Sequence, residues 1–106
     1  MEFIKELQEV KDTKINKCVD LMINTIKAKN LYQKGGWDAV DKELGDNYLN
    51  PCFNVSDIAI YRKLEGLNLN LEDNMKEIEN RVNAKLGVKA IQYRIDRLHH
   101  HFVILL

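Results

Sequence analysis

The first third of the chain carries a stripe of apolar residues with helical spacing. Over residues 2–33 the apolar side chains recur at intervals of three and four, or their sums, which places them on one face of a helix. This spacing predicts one long helix, ended by the glycine pair Gly35 and Gly36. The polar residues 11–14 leave an alternative, in which the helix breaks and a second one begins near Thr13. The stripe consists of Ile4, Leu7, Ile15, Cys18, Val19, Met22, Ile26 and Leu31.

The middle of the chain is divided by glycine, proline and helix-capping residues. We expect a short helix over Trp37–Leu44 and a loop over Asp46–Phe53, because Pro51 has no backbone N–H to donate and disfavours helix in the residue before it. A third helix is expected over Ser56–Glu65. A fourth is expected between the cap Asn70 and Gly87, where the apolar residues keep helical spacing.

The last segment has a heptad-like pattern. Its apolar residues step by three, four, three, four and three, which is typical of the seam of a coiled coil. This pattern predicts a C-terminal helix over residues 88–106. The final turn, 102–106, is apolar on every side, so other helices of the chain or another subunit must surround it. The predicted interface residues are Val88, Ile91, Ile95, Leu98, Phe102 and Leu105.

These elements predict an all-α fold, a bundle of four or five helices forming a single domain over residues 1–106, with a long N-terminal helix and the heptad-patterned C-terminal helix. The hydrophobic fraction of 45% is too high for a disordered chain. No apolar run approaches the roughly 18 residues of a spanning helix, so we expect no membrane partner. Because a short chain with an apolar end favours oligomerisation, a homodimer is expected.

Charge is balanced overall but unevenly placed. The chain has 16 Lys and Arg against 16 Asp and Glu. Acidic residues dominate the segment 65–80, and basic residues dominate 81–101. We interpret this as attraction between neighbouring helices or subunits, and a basic face for phosphate is the alternative.

Residues 82–88, Val-Asn-Ala-Lys-Leu-Gly-Val, followed by the apolar-x-x-Arg-Ile-x-x-Leu pattern of 91–98, resemble the helix-turn-helix of DNA-binding regulators. The resemblance implies that the second helix reads the major groove, where Arg and Gln make bidentate contacts with bases. Nucleic acid is therefore an alternative partner. The groove-facing candidates are Lys89, Gln92, Arg94 and Arg97, and Lys85 joins them in the predicted nucleic-acid-binding set.

Little in the sequence indicates catalysis or metal binding. Ser56 is the one serine, and the two cysteines, Cys18 and Cys52, lack metal-ligand spacing. His99, His100 and His101 would point about 100° apart on a helix, so they cannot hold one ion and are expected to border an interface. No catalytic residue, metal or cofactor is therefore predicted.

The predicted function is a non-enzymatic helical interaction protein, homodimeric, that binds or masks another macromolecule. The alternative is a small helix-turn-helix regulator that binds nucleic acid through residues 81–101. The first residues lack the basic start and apolar stretch of a signal peptide, and two reduced thiols suit a reducing compartment, so we expect a cytoplasmic protein. Its asparagine and lysine usage suits an AT-rich bacterial or viral genome.

Overall fold

The protein has an α+β architecture, and the predicted all-α bundle is wrong. A computed structural model describes the backbone of residues 2–49 and 54–106 and the side chains of 10–49 and 54–106. The predictions for Pro51 and Cys52 lie outside the described residues. In chain order the elements are α1 (Glu2–Leu44), β1 (Asn54–Ser56), α2 (Asp57–Lys63), α3 (Leu71–Leu86), β2 (Ile91–Asp96) and β3 (His99–Ile104).

The long first helix is confirmed, and no break occurs near Thr13. A kink at Gly36 divides α1, because that residue has φ 68° and ψ −166°, a conformation that a residue with a side chain rarely adopts. The helix resumes at once and continues to Leu44, so the predicted short helix is the part of α1 beyond the kink. The sequence therefore places both helical stretches and the point between them correctly.

Caps define the bounds of α2 and α3 as the sequence predicts. The Ser56 hydroxyl accepts a hydrogen bond from the Ala59 amide at 3.1 Å, and the Asn70 side chain accepts one from the Asp73 amide at 3.3 Å. Gly87 ends α3 in the left-handed conformation, with φ 69°. Side chains that satisfy the free amides of the first turn, and a glycine after the last turn, are local signals and need no tertiary context.

The predicted C-terminal helix is wrong: β2 and β3 form an antiparallel hairpin in its place. Residues i and i+4 share a face in a strand as well as in a helix, so the steps of four from Ile91 to Ile95 and from Leu98 to Phe102 fit both structures. The step of three between Ile95 and Leu98 spans the turn between the strands. Residues 91–96, Ile-Gln-Tyr-Arg-Ile-Asp, alternate strictly and are rich in β-branched and aromatic side chains, which favours a strand.

The sheet has three antiparallel strands in the order β1-β3-β2. Phe102 of β3 lies opposite Tyr93 of β2 and Val55 of β1, so the three residues form one row on one face. On the opposite face, His101 lies between Arg94 and Ser56. Strand β2 is at one edge of the sheet and β1 at the other.

The core lies between α1, α3 and the inner face of the sheet. Phe102 is fully buried at its centre, and Ile91 beside it is also inaccessible to solvent. The apolar positions of α3 keep the spacing of three and four that the sequence predicts, and they face the stripe of α1. The helices and the sheet contribute Ile15, Cys18, Val19, Met22, Ile26, Leu71, Met75, Ile78, Val82, Val55, Ile91, Phe102 and Ile104.

Ion pairs join α3 to α1. The Arg81 guanidinium contacts the Asp12 carboxylate at 2.9 Å, and the Lys85 ammonium contacts Asp20 at 3.4 Å. The basic end of α3 is therefore partly neutralised within the chain. Over the described residues, no helix is long and apolar enough to cross a membrane.

Candidate interaction surface

The turn of the hairpin joins an unfavourable backbone to an exposed apolar side chain. Asp96 and His99 are the last paired residues, and Arg97 and Leu98 between them have φ 48° and 71°. Two-residue turns with positive φ at both positions favour Asn-Gly, because left-handed backbone costs about 1–2 kcal/mol for a residue with a larger side chain. Leu98 is also 89% exposed. Neither its conformation nor its exposure stabilises the isolated chain.

Two side chains of α3 cover the edge of β2 at its inner end. The Asn83 carboxamide accepts hydrogen bonds from the Ala90 and Ile91 amides at 2.8 and 3.0 Å and donates one to the Ile91 carbonyl at 3.0 Å. Glu79 accepts a hydrogen bond from the Tyr93 amide. These contacts occupy the positions that a fourth strand would take. They show how the fold protects an edge that would otherwise be open to pairing.

This cover ends before the tip. The amide of Leu105, the residue after β3, donates a hydrogen bond to the carbonyl of Ala90, the residue before β2, at 2.8 Å. The even-numbered residues of β2 therefore direct their backbone groups to β3, and the odd-numbered residues direct theirs outward. Ile95 therefore presents its amide and carbonyl at the outer edge, beyond the reach of the contacts that Asn83 and Glu79 make. Its side chain is 56% exposed. We call residues 95–98 the hairpin tip.

Burial and hydrogen bonding act in opposite directions on Glu79. Burial alone would raise the pKa of this carboxyl, but hydrogen bonds from the Lys76 ammonium and the Tyr93 amide, with the charge of Lys76, lower it below its ordinary value. The Lys76 contact is 2.7 Å. Glu79 is therefore a carboxylate at neutral pH and in that form accepts the hydrogen bond from the Tyr93 amide.

The hairpin separates the three histidines because neighbouring residues of a strand point to opposite faces. His100 lies on the inner face, where its ring stacks on Tyr93 with centroids 5.8 Å apart and its Nδ1 shares a hydrogen bond with the Tyr93 hydroxyl. His99 and His101 lie on the outer face, and His101 Nε2 is 3.5 Å from Asp96. Among the residues with described side chains, no group of three ligands could hold a metal ion.

Burial, with the charges of Glu72 and Asp57, raises the pKa of Tyr93. Its hydroxyl therefore stays protonated at neutral pH, and it shares its hydrogen bond with His100 in that form. Glu72 also lies 3.9 Å from His100 Nε2. The inner face of the hairpin next to the tip thus contacts α3 through His100.

The predicted interface residues lie at different places. Ile91 and Phe102 belong to the core of the chain itself. Val88 and Leu105 are partly exposed near the base of the hairpin, whereas Ile95 and Leu98 are exposed at its tip. The structure thus divides the heptad seam into core residues and two separate exposed groups.

The predicted nucleic-acid-binding residues lie on no recognition helix, because the segment after Val88 forms the hairpin. Lys85 remains at the end of α3, and Lys89 lies in the connection to β2. Gln92 and Arg94 share the outer face of the sheet, and Arg94 donates to the Gln92 side chain at 3.4 Å. Arg97 is in the turn. The helix-turn-helix placement of these residues is wrong, and whether they contact nucleic acid stays a prediction.

A concavity of about 580 Å³ lies between β1 and α2. Tyr48, Val55 and Ala59 supply part of its wall, and Arg62 and Lys63 supply positive charge. Ser56 also lines it, but its hydroxyl is the acceptor that caps α2. The walls therefore carry no serine free to act as a nucleophile.

No protein family matches the chain, and comparisons with curated proteins and with solved structures likewise find no match.

Sequence reasoning missed Asn83 and Glu79, the residues that cover the β2 edge. Both are polar residues of α3 beside its apolar stripe, since Glu79 follows Ile78 and Asn83 follows Val82. The alternation of residues 91–96 was the available signal, since a strand at that position needs partners for its outer amides. This alternation indicates a strand, and the polar side chains of the preceding helix are candidates to bond its outward amides.

Proposed function

We propose that this protein is a non-enzymatic interaction protein that forms a homodimer through its hairpin tip and acts by binding or masking another macromolecule. The observation that carries the proposal is Leu98, a large apolar residue in left-handed backbone with 89% of its surface exposed. Strained backbone persists where the surrounding structure or a function requires it. Contact of Leu98 with a partner molecule would explain this turn, because nothing in the described part of the isolated chain requires it.

The isolated chain leaves most of the Leu98 side chain exposed, so the free energy of its burial is not realised there. Complete burial of a leucine side chain stabilises by about 1.5–3 kcal/mol, and at Leu98 nearly all of that is still available to a partner. Ile95, two residues before the turn residue Arg97, is a second apolar residue of the tip and is about half exposed. Together they supply an apolar contact at the end of a rigid hairpin.

Several residues with reactive side chains have structural roles, which supports a non-enzymatic function. Ser56 caps α2, and the His100 ring is hydrogen-bonded to Tyr93. Burial raises the pKa of the Cys18 thiol to about 11, so it is not a nucleophile at neutral pH. As a buried free thiol, Cys18 also supports our proposal of a reducing, cytoplasmic location.

The test replaces the turn pair by Arg97→Asn with Leu98→Gly, the residues that this turn favours. We expect the variant to be more stable by about 1–2 kcal/mol, because the backbone strain is relieved, and to lose self-association. Chemical denaturation measures the first effect and sedimentation equilibrium the second. Val88→Asn removes an exposed apolar residue at the opposite end of the hairpin and is the matched control, with association unchanged.

A turn with only a structural role would give a different result. The variant would then gain stability and self-associate as the wild type does, which contradicts the proposal. Sedimentation with a mixed-sequence DNA duplex tests the alternative partner. Binding that weakens steeply between about 50 and 200 mM salt would support nucleic-acid recognition in place of the proposed function.

A further inference from the structure

The open part of the β2 edge has the hydrogen-bonding pattern that a second copy of the same edge requires. The amide and carbonyl of Ile95 point outward, because it shares the alternation of Ile91, whose amide and carbonyl both contact α3, and of Tyr93, whose amide does so. In an antiparallel pair, two residues that both face the shared edge exchange two hydrogen bonds. Ile95 can therefore pair with Ile95 of a second copy on a two-fold axis.

This register brings opposite charges together. With Ile95 on the axis, Arg94 lies opposite Asp96 of the second copy, and Asp96 lies opposite Arg94 of that copy. These are non-hydrogen-bonded positions, where facing Cα atoms are only about 4.5 Å apart and side chains meet closely. Both residues lie on the outer face of the sheet. The symmetry thus produces the ion pair twice.

Both side chains are available for this contact. The Asp96 side chain is 75% exposed, and its contact with His101 is at 3.5 Å. Arg94 is exposed, and its hydrogen bond is to the neutral Gln92 side chain, with no carboxylate partner among the residues whose side chains are described. An exposed guanidinium on one copy thus faces an exposed carboxylate on the other.

The cover provided by α3 limits how far the pairing extends. Asn83 bonds both backbone groups of Ile91, and Glu79 accepts a hydrogen bond from the Tyr93 amide. A partner strand can therefore pair at the tip without displacing these side chains of α3. A short pairing of this kind contributes few hydrogen bonds. It therefore depends on the side chains around the axis, which are the two Ile95 residues, the two ion pairs and the neighbouring Leu98.

From this pattern we infer that two copies of the chain associate by antiparallel pairing of their β2 edges about Ile95, with reciprocal ion pairs between Arg94 and Asp96, to form a continuous six-stranded sheet. The inference rests on the proposed function, which requires self-association at the tip. It adds the symmetry, the register and the residues that determine the choice of partner.

The test uses charge reversal on one residue at a time. In Arg94→Asp, acidic residues face one another across the axis, and in Asp96→Arg, basic residues do. Like charges directly opposite destabilise paired strands, so each variant alone should dimerise more than about ten-fold more weakly than the wild type. Mixed in equal amounts, the two variants place opposite charges at both positions. Sedimentation equilibrium should show a heterodimer with affinity close to that of the wild-type dimer.

The matched controls are Lys63→Asp and Glu65→Arg, which reverse charges at exposed positions away from β2 and should leave dimerisation unchanged. Circular dichroism confirms that each variant is folded. Variants that dimerise alone as the wild type does, or a mixture that stays monomeric, would overturn the proposed register.

The outcome separates this inference from the proposed function. A wild-type dimer that is sensitive to the turn replacement at Arg97 and Leu98 but insensitive to charge reversal contradicts the register alone. A dimer insensitive to both changes, or a wild type that stays monomeric at every concentration, contradicts the proposed function as well.

Discussion

Asn83→Ala is the substitution that tests most directly how α3 holds the hairpin. The carboxamide makes three hydrogen bonds to backbone groups, with the Ala90 amide, the Ile91 amide and the Ile91 carbonyl. Ala90 and Ile91 are buried, so water cannot easily replace the lost partner. At about 1 kcal/mol for each hydrogen bond, the loss is about 3 kcal/mol. The better helix propensity of alanine offsets about 0.5 kcal/mol of it.

We therefore expect Asn83→Ala to lower the free energy of unfolding by about 2–3 kcal/mol, a large share of the 5–15 kcal/mol typical of a domain. Urea denaturation followed by circular dichroism measures it, with an unchanged slope if the transition stays two-state. Asn80→Ala is the matched control, because Asn80 is an exposed residue of the same helix. A loss for Asn83→Ala no larger than that of the control would refute the role assigned to this side chain.

Two further predictions concern buried titratable groups. Because the pKa of Glu79 is lowered in the folded protein, its carboxylate stabilises the fold above the ordinary pKa of 4.5, and that contribution is lost as pH falls through the folded value. The stability difference between wild type and Glu79→Gln should therefore shrink in urea denaturation as pH is lowered from neutral to about 3, and a constant difference would contradict it. Burial raises the pKa of Cys18 to about 11, so in a Cys52→Ser background iodoacetamide at about pH 8 should label Cys18 only after unfolding. Rapid labelling of the native protein would show that the thiol is accessible.

The helices could be predicted from the sequence because their determinants are local. The apolar stripe of α1, the caps at Ser56 and Asn70 and the glycine after α3 each act within a few residues of their own position. The packing of these elements against one another could not be predicted in this way. An example is the ion pair between Arg81 of α3 and Asp12 of α1, which are 69 residues apart in the sequence.

The hairpin could not be predicted from the spacing alone, because steps of four residues conserve the face in a helix and in a strand. The turn also carries Arg97 and Leu98 where asparagine and glycine are the usual signal. The edge partner Asn83 is contributed by a helix that precedes the strand, a tertiary relation that no local pattern encodes. Ile95 and Leu98 were predicted as interface residues of a helical seam that the chain does not form; both are exposed at the hairpin tip, and their place at an interface stays a prediction.

The central claim is that the hairpin tip is the surface through which this protein associates. A dilution series of amide proton–nitrogen NMR spectra tests it most directly, because each backbone amide reports its own environment. We expect the signals of Ile95, Arg97 and Leu98 to shift with protein concentration, while amides in the middle of α1 stay fixed. Spectra that do not change with concentration, or shifts confined to residues away from the tip, would contradict the claim.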